Sequence, residues 1–258
     1  MRGILTSNRI WASPAGVLND PSELDYGIQF VRDVWRDRRP SFELSDIGAV
    51  EFVDRVLGSG WEESIRSSTY IACASSAPDL LSQWRGYAGT DGYAIGFLID
   101  EGLWFGGPDV IPSGHYRASL PYWFDVVYEP TKQRALVEAF FDYFAALPQA
   151  FREPGELWMA RLAFSPVPTL LKHPGFHEEK EVRWVGSDLT LELGLDTRAH
   201  LPIGAYELNA GSASLADLPV VEVMAGPTSP AHAELEVEGL LRGTGRTASV
   251  SRSTTPYR

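Results

Sequence analysis

The order in which strand-like and helix-like segments follow each other constrains the fold of this 258-residue chain most. Apolar runs typical of buried strands outnumber clean strand–helix–strand units. A doubly wound parallel sheet needs a helical crossover for nearly every strand. The pattern therefore predicts an α+β fold with a mixed, mainly antiparallel split sheet, flanking helices and one domain over residues 1–258. An extended tail is an alternative prediction for residues from about 244 to 258.

Local spacing places the individual elements. Apolar residues every three to four positions predict helices, and short continuous apolar runs predict strands. Asn19-Asp20-Pro21 predicts a loop over 17–23, because a residue before proline avoids the helical conformation. Pro166 and Pro168 are expected to break the helix that starts at Leu157. The remaining predictions are helices over 46–57, 76–87, 131–147 and 230–241, and strands over 69–75, 93–99, 122–128, 179–185, 220–224 and 248–251.

Composition excludes several classes of protein. A net charge of -12 opposes non-specific binding of nucleic acids. The single Cys73 excludes an intramolecular disulfide and a cysteine-built zinc site, and its apolar neighbours predict a buried, inert thiol. No run approaches the roughly 18 apolar residues of a membrane span, and residues 1–6 carry no signal-peptide core. We therefore expect a cytoplasmic protein without a membrane partner.

The segment Glu179-x-Glu181-x-Arg183 is the main candidate for chemistry. Alternate side chains of a strand share a face, so these three side chains are expected to project together while Val182 and Trp184 face the core. Such a row suits stabilisation of a developing cation by one glutamate and orientation of a nucleophile by the other. Lys172 and His173 are expected to approach this cluster. The alternative is a solvent-facing strand with an ion pair of little energetic value.

Ser82, Gln83, Trp84 and Tyr87 form a second candidate group. Trp84 and Tyr87 lie one helical turn apart and suit stacking of a flat ring, while Ser82 and Gln83 suit hydrogen bonds to a ribose or a carbonyl. Packing of both aromatic rings in the core is the alternative.

Asn19, Asp20 and Glu23 form a third group, because Asn-Asp-Pro is a turn sequence with several polar side chains. These residues are interpreted either as a structural turn or as contacts to a substrate, for which Lys172 and His173 are further candidates.

Several motifs occur in a familiar order. They are Leu18–Glu23, Cys73-x-Ser75, Leu81-Ser82-Gln83-Trp84-x-x-Tyr87-Ala88, Gly92-x-x-Ile95-Gly96-Phe97, Phe176-x-x-Glu179-x-Glu181-x-Arg183, Gly226-Pro227 and Ser253-x-x-Pro256-Tyr257-Arg258. In this order they resemble the bacterial domain of unknown function family DUF2971. That resemblance implies an architecture and a set of marked positions, and it implies no reaction.

A fainter resemblance concerns ADP-ribosyltransferase-like domains. Gly3–Ile10 is similar to the short Ile-Leu-x-x-Gly-x-Leu helix of those domains, and Glu179-x-Glu181 looks like their late acidic pair. Their opening His-x-Thr strand would precede Met1. The resemblance implies a cytoplasmic transferase, such as a toxin or defence effector, that uses NAD as a nucleotide-type co-substrate and acts on an unknown macromolecular acceptor, without a metal.

The same resemblance implies roles for individual residues. Glu181 would stabilise the oxocarbenium character at the nicotinamide ribose, and Glu179 would orient the acceptor. Trp84 and Tyr87 would stack nicotinamide, and Arg183 would hold the carboxylates.

Two other functions remain open. Glu178-x-Lys180 imitates the acid-x-lysine pair of metal-dependent nucleases, with Asp91 or Asp100 as a further ligand. In that case 178 and 180, instead of 179 and 181, would face the site. The other alternative is a non-catalytic ligand-binding or interaction module in which the acidic row is structural.

Overall fold

The computed structural model describes residues 1–18, 20–105, 117–188, 200–209 and 212–257. The helices are α1 (Arg2–Ser7), α2 (Pro21–Glu43), α3 (Ile47–Val56), α4 (Trp61–Ser68), α5 (Leu81–Gln83), α6 (Pro130–Ala146), α7 (Leu157–Phe164), α8 (Pro166–Thr169) and α9 (Ala233–Gly243). Short 3-10 helices cover Ala15–Val17, Gln149–Arg152, Pro154–Glu156 and Pro174–Glu179, and a π-helix covers Trp84–Ala88.

The strands form a split sheet. They are β1 (Ile10–Pro14), β2 (Thr69–Ser75), β3 (Tyr93–Phe97), β4 (Trp104–Phe105), β5 (Arg117–Asp125), β6 (Glu181–Asp188), β7 (Leu201–Gly204), β8 (Tyr206–Asn209), β9 (Ser212–Leu215), β10 (Val220–Ala225) and β11 (Ser249–Arg252). One sheet has the order β4-β7-β1-β2-β6-β5 and pairs its strands antiparallel. A smaller sheet has the order β11-β10-β3, with β10 and β11 parallel, and β8 and β9 form a hairpin. The predicted α+β class with a mainly antiparallel split sheet is confirmed.

The central strands β2 and β6 separate two cores. Their register pairs Cys73 with Arg183, so side chains at odd positions of both strands share one face. On the other face, Tyr70 and Trp184 belong to a core shared with β1 and β7. On the odd-numbered face, Ile71 packs into the core built by α2, α3, α6 and α7. The candidate site therefore lies between the sheet and the helical layer.

Helix α2 begins inside the segment that the sequence predicted as a loop. Asp20 is its N-cap and accepts a hydrogen bond from the Ser22 amide at 2.9 Å. Pro21 occupies the first helical position, where its missing N–H and fixed φ are favourable. The predicted loop is therefore wrong from Pro21 onward, because proline is favourable at the first position of a helix. Glu23 consequently projects from the first turn of a helix.

The break predicted at Pro166 is present and it positions the site. Helix α7 ends at Phe164, and α8 covers only Pro166–Thr169 before the chain turns toward Lys172. Helix α8 lies directly against α2 at Gly27, where an added Cβ would come within 2.0 Å of the Pro168 carbonyl oxygen. Glycine at this point therefore permits the close approach of the two helices.

The C-terminal residues do not form a free extended tail. Residues 249–252 are β11, which pairs in parallel with β10. The Ser253 hydroxyl and the Thr254 amide donate hydrogen bonds to the Asp79 carboxylate at 2.5 and 2.9 Å. The strand predicted over 248–251 is thus placed within one residue, whereas the extended-tail prediction is wrong because these polar groups find partners in the fold. Within the described ranges, no helix is long and apolar enough to cross a membrane.

Candidate functional site

Five charged side chains from distant parts of the chain meet beside the odd-numbered face of β6. Glu23 comes from α2, Lys172 from the segment after α8, Glu179 from the end of the 3-10 helix, and Glu181 and Arg183 from β6. The Lys172 Nζ donates to Glu23 Oε1 at 2.9 Å, to Glu179 Oε2 at 2.7 Å and to Glu181 Oε2 at 2.8 Å. We call these five residues the charged cluster.

Arg183 bonds to two carboxylates of the charged cluster and to the backbone. Its Nε donates to Glu181 Oε1 at 2.7 Å, and its Nη2 donates to Glu23 Oε2 at 2.6 Å. Its Nη1 donates to the Thr169 carbonyl oxygen at 2.6 Å. Arg183 and Lys172 thus use their donors on groups supplied by four elements, so the cluster fixes α2, α8, the 3-10 helix Pro174–Glu179 and β6 relative to one another.

The accessible side of the cluster is acidic. Only 3% of each cationic side chain is exposed, against 25% of Glu179 and 15% of Glu23. Three carboxylates against two cations leave a net charge of -1 when all are ionised. A ligand that approaches this surface therefore meets carboxylate oxygens before it meets ammonium or guanidinium groups.

The environment keeps Glu181 and Lys172 ionised. Burial raises the pKa of Glu181, but the hydrogen bond and charge of Arg183 outweigh this effect and lower the pKa below its ordinary value. Burial lowers the pKa of Lys172, and hydrogen bonds to Glu179, Glu181 and Glu23 more than reverse this, so its pKa is raised. At neutral pH the cluster therefore provides fixed charges for electrostatic stabilisation, and these two groups do not exchange protons.

Glu179 joins the charged cluster from the 3-10 helix instead of from strand β6. The predicted strand over 179–185 begins only at Glu181, because Lys180 adopts a left-handed conformation with φ 46° and ends the 3-10 helix. Glu181 and Arg183 do share a strand face, but Glu179 joins them from the preceding turn through Lys172. The prediction that all three residues lie on one strand is therefore wrong for Glu179, although the structure brings the three side chains together.

Cys73 opens onto the same face and is exposed instead of buried as expected. Desolvation by the surrounding protein raises the pKa of its thiol to about 12; the Glu181 and Glu23 carboxylates add to this, and Arg183 opposes it. The thiol lies beside the carboxylates of Glu23 and Glu181, and we call the surface formed by Cys73, Glu23, Glu179, Glu181 and Tyr87 the acidic recess. The protonated thiol is a poor nucleophile at neutral pH, as expected for an inert cysteine.

Tyr87 and Trp84 do not form a joint aromatic platform. Trp84 is buried and its Nε1 donates to Asp79 Oδ1 at 2.6 Å, whereas the Tyr87 side chain is exposed. The predicted α-helix becomes a π-helix at Trp84, and its wider i→i+5 turn separates residues that an α-helix would align. The joint stacking role is therefore corrected, because the ring of Trp84 packs in the core.

Tyr87 nevertheless borders the acidic recess. Partial burial raises the pKa of its hydroxyl, and the carboxylates of Glu179 and Glu181 contribute to the rise. Ser82 is exposed and Gln83 is half-buried on α5, which packs against the 3-10 helix Pro174–Glu179. Neither Ser82 nor Gln83 makes a side-chain hydrogen bond to the described part of the chain. Both are therefore available to a ligand.

The remaining candidate residues have structural contacts. Asp20 caps α2, and the Ser22 hydroxyl also donates to its Oδ1 at 2.6 Å. His173 caps the 3-10 helix by accepting from the Gly175 amide at 3.1 Å. Asn19 lies outside the described residues. The structural interpretation therefore accounts for Asp20 and His173, whereas Glu23 and Lys172 belong to the charged cluster.

Three residues at the site were given no role by the sequence argument. The Tyr128 hydroxyl accepts from the Glu181 amide at 2.9 Å, and the Lys172 Nζ lies 5.0 Å from the centroid of the Phe176 ring. Gln133 is fully buried and donates to the Lys172 carbonyl oxygen at 2.8 Å. Gln133 gave a usable signal, because a polar residue on the apolar side of a predicted helix requires a buried partner.

The arrangement required of a metal-dependent nuclease is not present. Glu178 and Lys180 are both exposed and lie in the turn before β6 instead of on one strand face. Among the residues whose placement is described, no group of three or more His, Cys, Asp or Glu side chains has the geometry of a metal site. The alternative register is therefore wrong.

The comparison with protein families covers part of this site. Residues 83–184 match the family described as "Protein of unknown function (DUF2971)". The match includes Tyr87, Lys172, Glu179, Glu181 and Arg183 but neither Glu23 nor Cys73. No curated protein and no solved structure matches the sequence. The similarity to this family therefore extends over most of the charged cluster and names no reaction for it.

Proposed function

We propose that the acidic recess binds NAD through its positively charged nicotinamide ring and that the protein is an ADP-ribosyltransferase-like enzyme. The observation that carries the proposal is the set of ionised, partly accessible carboxylates beside exposed aromatic rings. Tyr87 is 70% exposed at the rim and Phe176 is 38% exposed. Carboxylates and aromatic faces both attract a flat cation. This chemistry fits a nicotinamide ring better than it fits a phosphate.

The fixed carboxylates suit the breaking of the bond between nicotinamide and ribose. As this bond breaks, its electron pair moves to the nicotinamide nitrogen and the ribose gains oxocarbenium character. Glu181 is buried, ionised and oriented by Arg183, so its charge is preorganised to stabilise the developing cation. Glu179 is the most accessible carboxylate and would orient the acceptor, whose nucleophile bonds to the ribose carbon and releases a proton.

The aromatic contacts differ from those that the resemblance implied. Tyr87 and Phe176 would contact the nicotinamide ring in place of the buried Trp84. Ser82 and Gln83 would donate to the ribose or to the carboxamide. The ADP-ribosyl group would be transferred to a macromolecular acceptor in the cytoplasm, as by a toxin or a defence effector.

The test is nicotinamide release from NAD, measured by chromatography with and without a cell lysate. Wild-type protein should release nicotinamide, and Glu181→Gln should lower the rate at least tenfold, with Glu179→Gln lowering transfer to an acceptor. Glu178→Gln is the matched control, since Glu178 is an exposed neighbour outside the cluster. Circular dichroism establishes that each variant is folded. Absence of release from the wild-type protein would overturn the transferase proposal.

A second candidate function is a ligand-binding module without catalysis. It is supported by the mutual pairing of all five charged groups, which is the arrangement expected of a structural network. Calorimetric titration separates the candidates. Binding of NAD without nicotinamide release supports the module, and release supports the enzyme. If the protein neither binds NAD nor releases nicotinamide from it, both proposed uses of the acidic recess are contradicted.

A further inference from the structure

A cavity lies at the opposite end of the same sheet face. Its volume is about 280 Å³, and it lies between the ends of β2 and β6 and the helices α4 and α7. Thr69 on β2 pairs with Ser187 on β6, four residues along each strand from the Cys73–Arg183 pair, a distance of about 13 Å. Ser68 and Ser165 complete a floor of four hydroxyl groups. This cavity is separate from the acidic recess.

The hydroxyls of this floor are not all satisfied. The Ser165 Oγ donates to the Leu162 carbonyl oxygen at 2.9 Å, so the 2.9 Å bond between Ser165 and Ser187 uses the proton of Ser187. The Ser187 oxygen retains capacity to accept. Thr69 is 1% exposed, and its Oγ1 has no hydrogen-bond partner within the described residues. Native proteins rarely leave a buried hydroxyl unpaired, so this atom indicates a missing partner in the cavity.

The charge of the cavity is positive. Arg161 lines it and donates to the carbonyl oxygens of Val56 at 3.1 Å and Arg55 at 2.9 Å, but it forms no ion pair within the described residues. None of the described lining residues is acidic. Helix α7 begins at the cavity with Leu157 and Trp158, which places the positive end of its dipole there. These contacts, together with one to the Ser59 carbonyl oxygen at 3.0 Å, fix the guanidinium in place without a carboxylate partner among the described residues.

We propose that this cavity binds a small hydroxylated anion, the chemistry shared by phosphorylated sugars and sugar acids. The anionic group would lie against Arg161, and hydroxyl groups would bond to Thr69 and Ser187. The half-exposed ring of Trp158 would cover the apolar side of the ligand. This proposal does not rest on the proposed function of the acidic recess.

The test is calorimetric titration with four probes: ribose 5-phosphate, gluconate, uncharged ribose and inorganic phosphate. At least one of the two hydroxylated anions should bind more than tenfold more tightly than ribose or inorganic phosphate. Preference for ribose 5-phosphate identifies a phosphate ester as the ligand group, and preference for gluconate identifies a carboxylate. Equal binding of uncharged ribose, equal binding of inorganic phosphate, or no binding of either hydroxylated anion overturns the proposal.

Three variants locate the binding. Thr69→Val should weaken binding at least tenfold yet raise the melting temperature of the free protein, because it removes an unpaired buried hydroxyl. Thr69→Ser should retain binding. Arg161→Gln should remove the preference for anions, whereas Arg36→Gln, which removes an exposed cation of α2, should not change it. Undiminished binding by the valine variant would show that the ligand lies elsewhere and would overturn the assignment.

Discussion

The two ends of the odd-numbered face of β2 and β6 differ in whether their buried polar groups have partners. At the end that carries Glu181 and Arg183, each buried charge has a partner of opposite sign within 3 Å. At the end that carries Thr69 and Ser187, the buried Thr69 hydroxyl has no hydrogen-bond partner among the described residues. The adjacent Arg161 has carbonyl acceptors but no carboxylate partner among them. Both ends lie under the same helical layer and belong to the same pair of strands.

The two ends therefore contribute differently to the stability of the molecule. A fully paired network is strongly destabilised by the loss of one member, so the charged cluster contributes to the fold whether or not a ligand is bound. An unpaired buried hydroxyl costs free energy until something bonds to it, so the cavity gains from a ligand. If the charged end is paired in this way, substitutions and pH changes that unpair its members should destabilise the protein.

The largest effect is expected from Arg183→Met. The substitution leaves the half-buried Glu23 and the buried Glu181 beside one cation, and we expect the free energy of unfolding to fall by about 3–5 kcal/mol. Urea denaturation measures this change. Arg36→Met is the control, because its exposed pair with Asp33 should change stability by less than about 0.5 kcal/mol. A similar small change for Arg183→Met would show that the network carries no stability.

The charged cluster should contribute to the pH dependence of stability at both the acid and the alkaline limit. The pKa of Glu181 is lowered from 4.5, so its contribution is present above pH 4.5 and is lost as the pH falls through the folded-state value. The pKa of Lys172 is raised from 10.5, so its contribution is present below pH 10.5 and is lost as the pH rises further.

Urea denaturation at a series of pH values measures both limits. In the Lys172→Met variant, the part of the alkaline loss that is due to Lys172 should disappear. A wild-type protein whose stability stays constant well below pH 4.5 would contradict the ionised state assigned to Glu181.

The smallest effect concerns the reactivity of Cys73 and leaves the fold intact. Because its pKa is raised from 9.0 to about 12, we expect alkylation by iodoacetamide near neutral pH to be about 10- to 100-fold slower than in a short peptide. Mass spectrometry follows the reaction at this single cysteine, and Cys73→Ser is the blank. A rate equal to that of the peptide would mean that the crowding assigned to the acidic recess is absent.

Local patterns predicted much of the fold. The helix of 130–146 and the strands at 69–75 and 249–252 follow spacings that neighbouring residues determine. The pair Glu181 and Arg183 was predictable for the same reason, since alternation along a strand is local. Trp84 and Tyr87 were misplaced because a π-helix changes the spacing of faces without a signal in the residues themselves.

The site itself depended on contacts between distant residues. Glu23 and Arg183 are 160 positions apart and meet only because α2 packs on α8. Cys73 was expected in the core, but the packing of the helices against the sheet leaves its side chain exposed beside the charged cluster.

The α+β class, the approximate elements and the charged side chains available for chemistry all follow from the order of the residues. Which charges meet, which end of the sheet face is paired and which end keeps an unpaired hydroxyl follow from the packing of the elements. The physical reason is range: helix and strand periodicity arises within a few residues, whereas the pairing of buried polar groups depends on how whole elements pack.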